Sequence, residues 1–261
     1  MKILVLLKKT ADTETKIELS ADGSQIDHSG TKFIINPYDE FAIEEALQIK
    51  EKLGQGEVVI ASFGDASCKD LIVKGLAMGA DRGVLVSNEG LENADSLAVA
   101  KVLKSVIESE QASLVLCGKQ AIDDDNMHVG TMVAELLDWP HVNVANKVTL
   151  EGETCTVERE VEGGQVEVHR FNLPGLIGAN KSLNTPRYTS LPGIMKAKRK
   201  PFDNKSVGDL GLDTAALSNT VVLKGLEYPA EKPAGQVFQG EDVETMVGKV
   251  VQLLRDEANV L

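Results

Sequence analysis

The chain has 261 residues, 43% hydrophobic and 26% charged, ordinary proportions for a packed globular protein, and its length suits one large α/β domain with a tail or two domains at most. A formal net charge of -13 repels phosphate backbones and anionic lipid, which argues against nucleic acid and membrane surfaces as partners. Three widely spaced cysteines (Cys68, Cys117, Cys155) without a CxxC argue against disulfides and zinc, and the absence of a signal-peptide core or a long apolar run leads to the expectation of a cytoplasmic protein.

Residues 2 to 7 (KILVLL) predict a strand buried on both faces, as in a parallel sheet. Asn36-Pro37-Tyr38-Asp39 opens a helix: Asn36 suits the N-cap, Pro37 the first helical position, and Asp39 and Glu40 the positive end of the dipole. Ile43, Ala46, Leu47 and Leu53 give that helix a buried face, and Gly54 ends it. Strand and helix then alternate: strand 57–63, helix 67–78, strand 83–86, helix 94–108, strand 113–117, helix 126–137. Such alternation implies right-handed crossovers and a parallel sheet, with ligands bound beyond the carboxyl ends of its strands. After Trp139-Pro140 the pattern changes. Residues 154–160 and 166–171 alternate around Glu162-Gly163-Gly164, a hairpin signal, and 173–177 is a further apolar stretch. Residues 201–238, rich in proline and glycine, read as an arm, and Val243, Met246, Val247, Val250, Val251 and Leu254 mark one face of a final helix. The expected fold is therefore α/β, Rossmann-like, with a mostly parallel sheet flanked by helices, a β-hairpin region and a C-terminal arm and helix. Its domains are expected at 1–200 and 201–261.

Four stretches carry candidate chemistry. Gly118-Lys119-Gln120-Ala121-Ile122-Asp123-Asp124-Asp125 lies between a buried strand and a helix, where a turn presents backbone N–H groups to a phosphate. It matches neither a P-loop nor GxGxxG, and three aspartates would oppose an anion unless some point to solvent or cap the helix. A nucleotide site and a plain polar loop both remain open. The segment 36–39 lines an adenine pocket or simply caps its helix. The charged hairpin Val157 to Gly164 is a solvated face or aims a carboxylate at a cofactor. In Leu183 to Lys200, Leu191 folds back onto its own core or anchors in a partner, and the run Lys196, Lys198, Arg199, Lys200 is solvated surface or steers an acidic partner. His28, His128, His141 and His169 have no ligand spacing, and no GxSxG or reactive-cysteine context occurs.

Taken together, GKQAIDDD (118–125), Asp138-Trp139-Pro140, Val148 to Gly152, VEREVEGG (157–164), NTPRYTSLPGIMKAK (184–198), Ala77 to Gly83 and Asn36-Pro37 resemble the β (small) subunit of electron-transfer flavoproteins over nearly the whole chain. The resemblance is to the AMP-binding housekeeping group of mitochondria and proteobacteria. It implies an electron carrier without catalytic residues of its own. An α subunit would hold FAD, with AMP bound structurally in this chain. Electrons would come from acyl-CoA and other flavin dehydrogenases and leave to a membrane quinone oxidoreductase, as in fatty acid β-oxidation. By residue match, the AMP pocket would comprise Leu6, Asn36, Pro37, Tyr38, Asp39, Phe63, Gly118, Lys119, Gln120, Ala121, Ile122, Asp123, Asp124, Asp125, Asn126, Met127, His128 and Val129. Glu160 matches a flavin-proximal glutamate, and residues 178–200 match a recognition loop that docks dehydrogenases through Leu191, with Pro186, Arg187, Tyr188, Pro192, Ile194 and Met195 around it. The C-terminal arm and helix would lean on the α subunit. Three departures stand out: Thr13 where relatives can carry a tyrosine, Gly178 with His169, and Asn-Met-His-Val-Gly after Asp125. The alternative is the β subunit of an electron-bifurcating relative, with a second FAD and NADH oxidation.

Overall fold

Four consecutive apolar residues, Ile3 to Leu6, make Lys2–Leu6 a strand with no solvent face, and it forms the buried centre of the sheet, β1. The computed structural model describes residues 1–232 and 234–261. Around β1 lie β2 (Glu57–Gly64), β3 (Arg82–Ser87), β4 (Leu114–Gly118), β5 (His141–Glu151), β6 (Thr154–Val161), β7 (Gln165–Asn172), β8 (Gly175–Ala179) and β9 (Phe202–Lys205). They order as β7-β6-β5-β8-β4-β1-β2-β3-β9 in one sheet. Every pairing from β5 through β9 is parallel; only β5-β6 and β6-β7 are antiparallel. A separate antiparallel pair joins Lys9–Ala11 to Phe33–Ile35.

The period-2 alternation of side chains divides the apolar residues between two layers. Ile3, Val5, Val58, Ile60, Leu114 and Leu116 pack under α1 (Pro37–Leu53) and α2 (Cys68–Met78). Leu4, Leu6, Val59, Ala61, Val84, Val86 and Val115 pack under α3 (Ser96–Glu110) and α4 (His128–Leu137). From β1 the chain steps outward to β2 and β3, then crosses to β4 on the other side of β1. That reversal is the switch point at which open α/β sheets bind ligands.

Pro37 does open α1 and Gly54 closes it in the left-handed region at φ 69. Leu53, expected on the buried face, is exposed, because residues 51 to 56 run past the covered part of the sheet. The hairpin closes through Gly163 and Gly164, both at positive φ. Three small hydrophobes, Cys68, Cys117 and Cys155, are free and buried.

Two elements differ from the sequence reading. Phe202–Lys205, read as the start of an arm, pairs parallel with β3 and completes the sheet as β9. Leu191–Ala197, read as a loop, is a short helix α5: Pro192 falls in its first turn, where no N–H is needed, and the Ser190 hydroxyl accepts from Gly193 N at 3.1 Å. Gly193 is required there because a Cβ would stand 2.8 Å from the Ala77 carbonyl oxygen of α2. The basic run is not uniformly solvated. Lys200 Nζ donates to the carbonyls of Leu76 (2.9 Å) and Ala80 (2.5 Å), closing the C-terminal end of α2.

Residues Met1–Glu18 and Ile26–Lys224 form one compact unit, which contains the large sheet; Leu19–Gln25 and Gly225–Leu261 form a second. Within the second, Leu19 N donates to Tyr228 Oη at 2.9 Å and Asp242 caps α6 (Val243–Asp256) through Thr245 N at 3.0 Å. The apolar face of α6 predicted from sequence is present, and Val243, Val247, Val250, Val251 and Leu254 are all exposed on it. Among the described residues no helix is long and apolar enough to cross a membrane, and no His/Cys/Asp/Glu group could hold a metal.

Candidate functional site

A cavity of about 240 Å³ opens beyond the carboxyl ends of β1, β2 and β4, at the switch point. Leu6, Leu7, Phe63, Val99 and Leu103 give it an apolar side, while Asn36, Asp39, Gly118, Lys119, Gln120 and Ala121 form a polar wall. Asp124, Asn126, Met127, His128, Val129 and Gly130 bring in the loop before α4 and its first turn.

Asn36 was expected to cap α1, yet its side chain makes no cap hydrogen bond. Instead its amide donates to Gln120 O (2.9 Å) and Asp39 Oδ1 (3.0 Å) and its oxygen accepts from Ile122 N (3.3 Å). One residue thus stitches the start of α1 to the 118–125 loop. Asp39, fully buried, extends the stitch: Oδ1 accepts from Gly118 N and Oδ2 from Lys8 N, both at 2.8 Å. Burial pushes its carboxyl up to about 7 even though three N–H donors hold it down. Gly118 has to be glycine, since a Cβ there would lie 2.5 Å from Tyr38 Cβ, 2.6 Å from Asp39 Oδ1 and 2.9 Å from Asn36 Nδ2.

The three aspartates are each engaged. Asp123 Oδ1 and Asp124 Oδ2 accept from Lys8 Nζ at 2.8 and 3.1 Å, and Asp125 Oδ1 accepts from Gln120 Nε2 at 2.5 Å. Burial opposes the charge on Lys8, but Asp123 and Asp124 outweigh it and its pKa rises. Asp123 and Asp124 are therefore matched by a cation, Asp125 by a neutral amide, and of the three only Asp124 lines the cavity. Asp125 and Met127 both turn through the left-handed region, at φ 51 and 57, which delivers the chain into α4 with no side-chain cap on its first turn. An uncapped helix N-terminus offers N–H groups and a positive dipole end to an anion. Apolar side, hydrogen-bonding wall and anion-seeking helix end together suit a ring-bearing, anionic ligand such as a nucleotide.

Of the residues expected in this pocket, Leu6, Asn36, Asp39, Phe63, Gly118 to Ala121, Asp124 and Asn126 to Val129 line the cavity. Pro37, Tyr38, Ile122, Asp123 and Asp125 do not line it; Tyr38 carries Lys119 Nζ over its ring at 5.1 Å. Leu7, Lys8, Ala94, Ser96, Val99, Leu103, Cys117 and Gly130 also line it and were not expected. Burial pushes the Cys117 thiol up to about 12, so it contributes a neutral wall. The link between Ala94 and Ser96 is Asp95, which caps α3 at Ala98 N (2.9 Å) and also accepts from Thr220 N (2.5 Å) and Val221 N (3.1 Å), so its pKa lies far below the usual range.

Glu160 lies on the hairpin, exposed and outside the cavity, where it accepts from Asn146 Nδ2 at 3.2 Å; Asn146 Oδ1 accepts in turn from Asn180 at 3.0 Å. Gly178 borders the same strand ends, and Asn143 Oδ1 sits 1.9 Å from where its Cβ would be. Leu191 is 79% exposed and Met195 71%, with Tyr188, Pro192 and Ile194 also exposed, whereas Pro186 and Arg187 are partly covered.

Residues 24–210 match the electron transfer flavoprotein domain. The chain is 45% identical to the electron transfer flavoprotein subunit beta of Bradyrhizobium diazoefficiens over 261 residues, covering 100% of both chains. It is 41% identical to that of Homo sapiens over 257 residues (98% of each) and 40% identical to that of Bacillus subtilis over 264 residues (100% of each). The chain belongs to the electron transfer flavoprotein β-subunit family. The electron transfer flavoprotein domain match spans β2 to β9 and α1 to α5, so it includes the 118–125 loop, the hairpin and the exposed α5. The full-length likeness to electron transfer flavoprotein β subunits adds β1 and α6.

Proposed function

We propose that this chain is the β subunit of a heterodimeric electron carrier that receives electrons from acyl-CoA and other flavin dehydrogenases and passes them to a membrane quinone oxidoreductase. The observation that carries the reading is the cavity at the switch point, in a chain of this family, with its aspartates paired to Lys8 and an uncapped helix end beside it. AMP occupies that cavity as a structural ligand. Its adenine packs against Leu6, Phe63, Val99 and Leu103, and its phosphate takes backbone N–H groups at the start of α4. FAD, held mainly by an α subunit, supplies the redox chemistry when bound. The β chain contributes a rigid scaffold, the carboxylate of Glu160 near the flavin, and the docking surface of α5. No bond is made or broken by its residues.

The test is to co-express the chain with an α subunit, purify and denature the complex, and separate the released nucleotides. One FAD and one AMP per heterodimer are expected. Two FAD and no AMP would move the chain to the electron-bifurcating class, and no flavin and no association would remove the carrier reading altogether.

A second outcome follows from α5. Leu191 stands on the first turn of a helix whose other side is fixed to α2, the arrangement of an anchor offered to a partner's pocket. Leu191→Ala should slow reduction by a medium-chain acyl-CoA dehydrogenase roughly 30-fold, matching an anchor worth about 2 kcal/mol, with the FAD absorption spectrum unchanged. Transfer at the parental rate would remove the docking role.

A further inference from the structure

Arg187 stands among the residues expected to touch a docking partner, but its side chain turns inward onto α1. Its backbone N and its Nε both donate to Glu44 Oε2, at 3.1 and 2.8 Å, and Nη2 reaches Glu44 Oε1 at 3.0 Å. Nη1 and Nη2 reach the two oxygens of Glu51 at 2.6 and 3.2 Å. Glu44 is 3% exposed, so this is a guanidinium clamped by two carboxylates two helical turns apart, one of them inside the protein. Three residues earlier, Asn184 Nδ2 donates to Phe41 O and Glu45 Oε2, both at 3.0 Å. Beyond α5 the chain is fixed again, by Lys200 on the carbonyls at the end of α2. Between these fixed points, Tyr188, Leu191 and Met195 project into solvent.

α5 rests on α2 through Gly193 and the buried Ala197, but the segment that leads into it, 185–190, has no apolar anchor of its own, so its path onto the exposed ridge is set by the ties at Asn184 and Arg187. We infer that Arg187 is a positioning residue for partner docking: clamped by Glu44 and Glu51, it holds the segment before α5 on α1 and so presents Leu191 in one orientation. The inference rests on the docking reading of α5, and it assigns to Arg187 a role other than contact with the partner. The planar fork is needed, because a lysine ammonium cannot serve both carboxylates in the same geometry.

Removing Arg187 alone would leave Glu44 buried and unpaired, so the informative variant is the neutral pair Glu44→Gln with Arg187→Gln, compared with Arg187→Lys, in the purified heterodimer. Two measurements are made: hydrogen exchange of the amides in 186–195, and the KM and kcat with which a flavin dehydrogenase reduces the carrier. Exchange about tenfold faster is expected, together with a KM about tenfold higher and kcat unchanged, because a docking segment competent one-tenth of the time weakens apparent affinity by that factor. Arg187→Lys should fall between the parent and the neutral pair in both measurements. Unchanged exchange overturns the clamp. Faster exchange with an unchanged KM overturns the docking reading of α5 while the clamp stands, and a fall in kcat with KM unchanged overturns the positioning role.

Discussion

Asp39→Asn is expected to lower stability by about 3 kcal/mol, a fall in Tm of roughly 6–12 °C, and to release the AMP proposed for the cavity. The carboxylate accepts three N–H donors, two on Oδ1 and one on Oδ2. An amide is nearly isosteric but carries only one oxygen. Whichever way it is turned, its NH2 group faces Lys8 N or the pair Asn36 Nδ2 and Gly118 N, and a buried donor is left without an acceptor. Both Lys8 and Gly118 line the cavity, so the damage reaches its wall directly. The pH dependence has a definite sign. Burial raises the Asp39 carboxyl from 3.8 to about 7, so the folded protein binds its proton more tightly than the unfolded chain does. That contribution is fully present below about pH 4 and is lost as pH rises through 7. The parent should therefore exceed Asp39→Asn in stability by more at pH 5 than at pH 8, measured by urea unfolding across the range. A difference that grows with pH would show that the three donors, not burial, dominate this carboxyl.

The alternation of strands and helices, the hairpin and the loop before α4 were legible because each rests on local signals: apolar runs, glycine at a turn, proline at a helix start. What was not legible depends on residues far apart in sequence. Asn36 has the local chemistry of a cap, but Gln120 and Ile122, 84 and 86 residues away, take its hydrogen bonds. The question posed by three consecutive aspartates is answered by Lys8, 115 residues from Asp123, which no local pattern connects to them. Lys8 lies two residues past the first buried strand, at the carboxyl edge where such sheets bind ligands, and that position was the available signal. Val99 and Leu103 carry no local mark that separates them from ordinary helix core, and only the packing of α3 against β2 and α4 brings them to the cavity. β9 has one apolar residue in four, and its strand conformation is induced by the open edge of β3. Arg187 lay inside a stretch read as docking surface, because a sequence does not disclose which side of an exposed segment meets its own helix.

Gly118→Ala is expected to empty the cavity of its proposed AMP and to cost stability comparable with the change at Asp39. The added methyl would occupy space already filled from three directions, and the atoms it meets are not the ends of flexible side chains. Tyr38 Cβ is fixed by the backbone of α1, and Asp39 Oδ1 and Asn36 Nδ2 are held in mutual hydrogen bonds. Relief requires α1 and β4 to separate, which breaks the Gly118 N to Asp39 bond and pulls Asn36 from Gln120. Overpacking of this kind costs about 1–3 kcal/mol, and the lost buried hydrogen bond adds about 1–3 kcal/mol. Gly130→Ala provides the comparison, since its Cβ would meet only Cys117 Sγ closely, at 2.9 Å, on the far wall of the same cavity. Thermal unfolding and nucleotide content of the two heterodimers separate the causes. If Gly118→Ala loses AMP and stability while Gly130→Ala loses AMP alone, the stitch between α1 and the 118–125 loop is both the structural seam of the domain and the wall of its ligand site. If Gly118→Ala keeps its AMP and its Tm, the close approach of α1 to β4 does not shape the cavity.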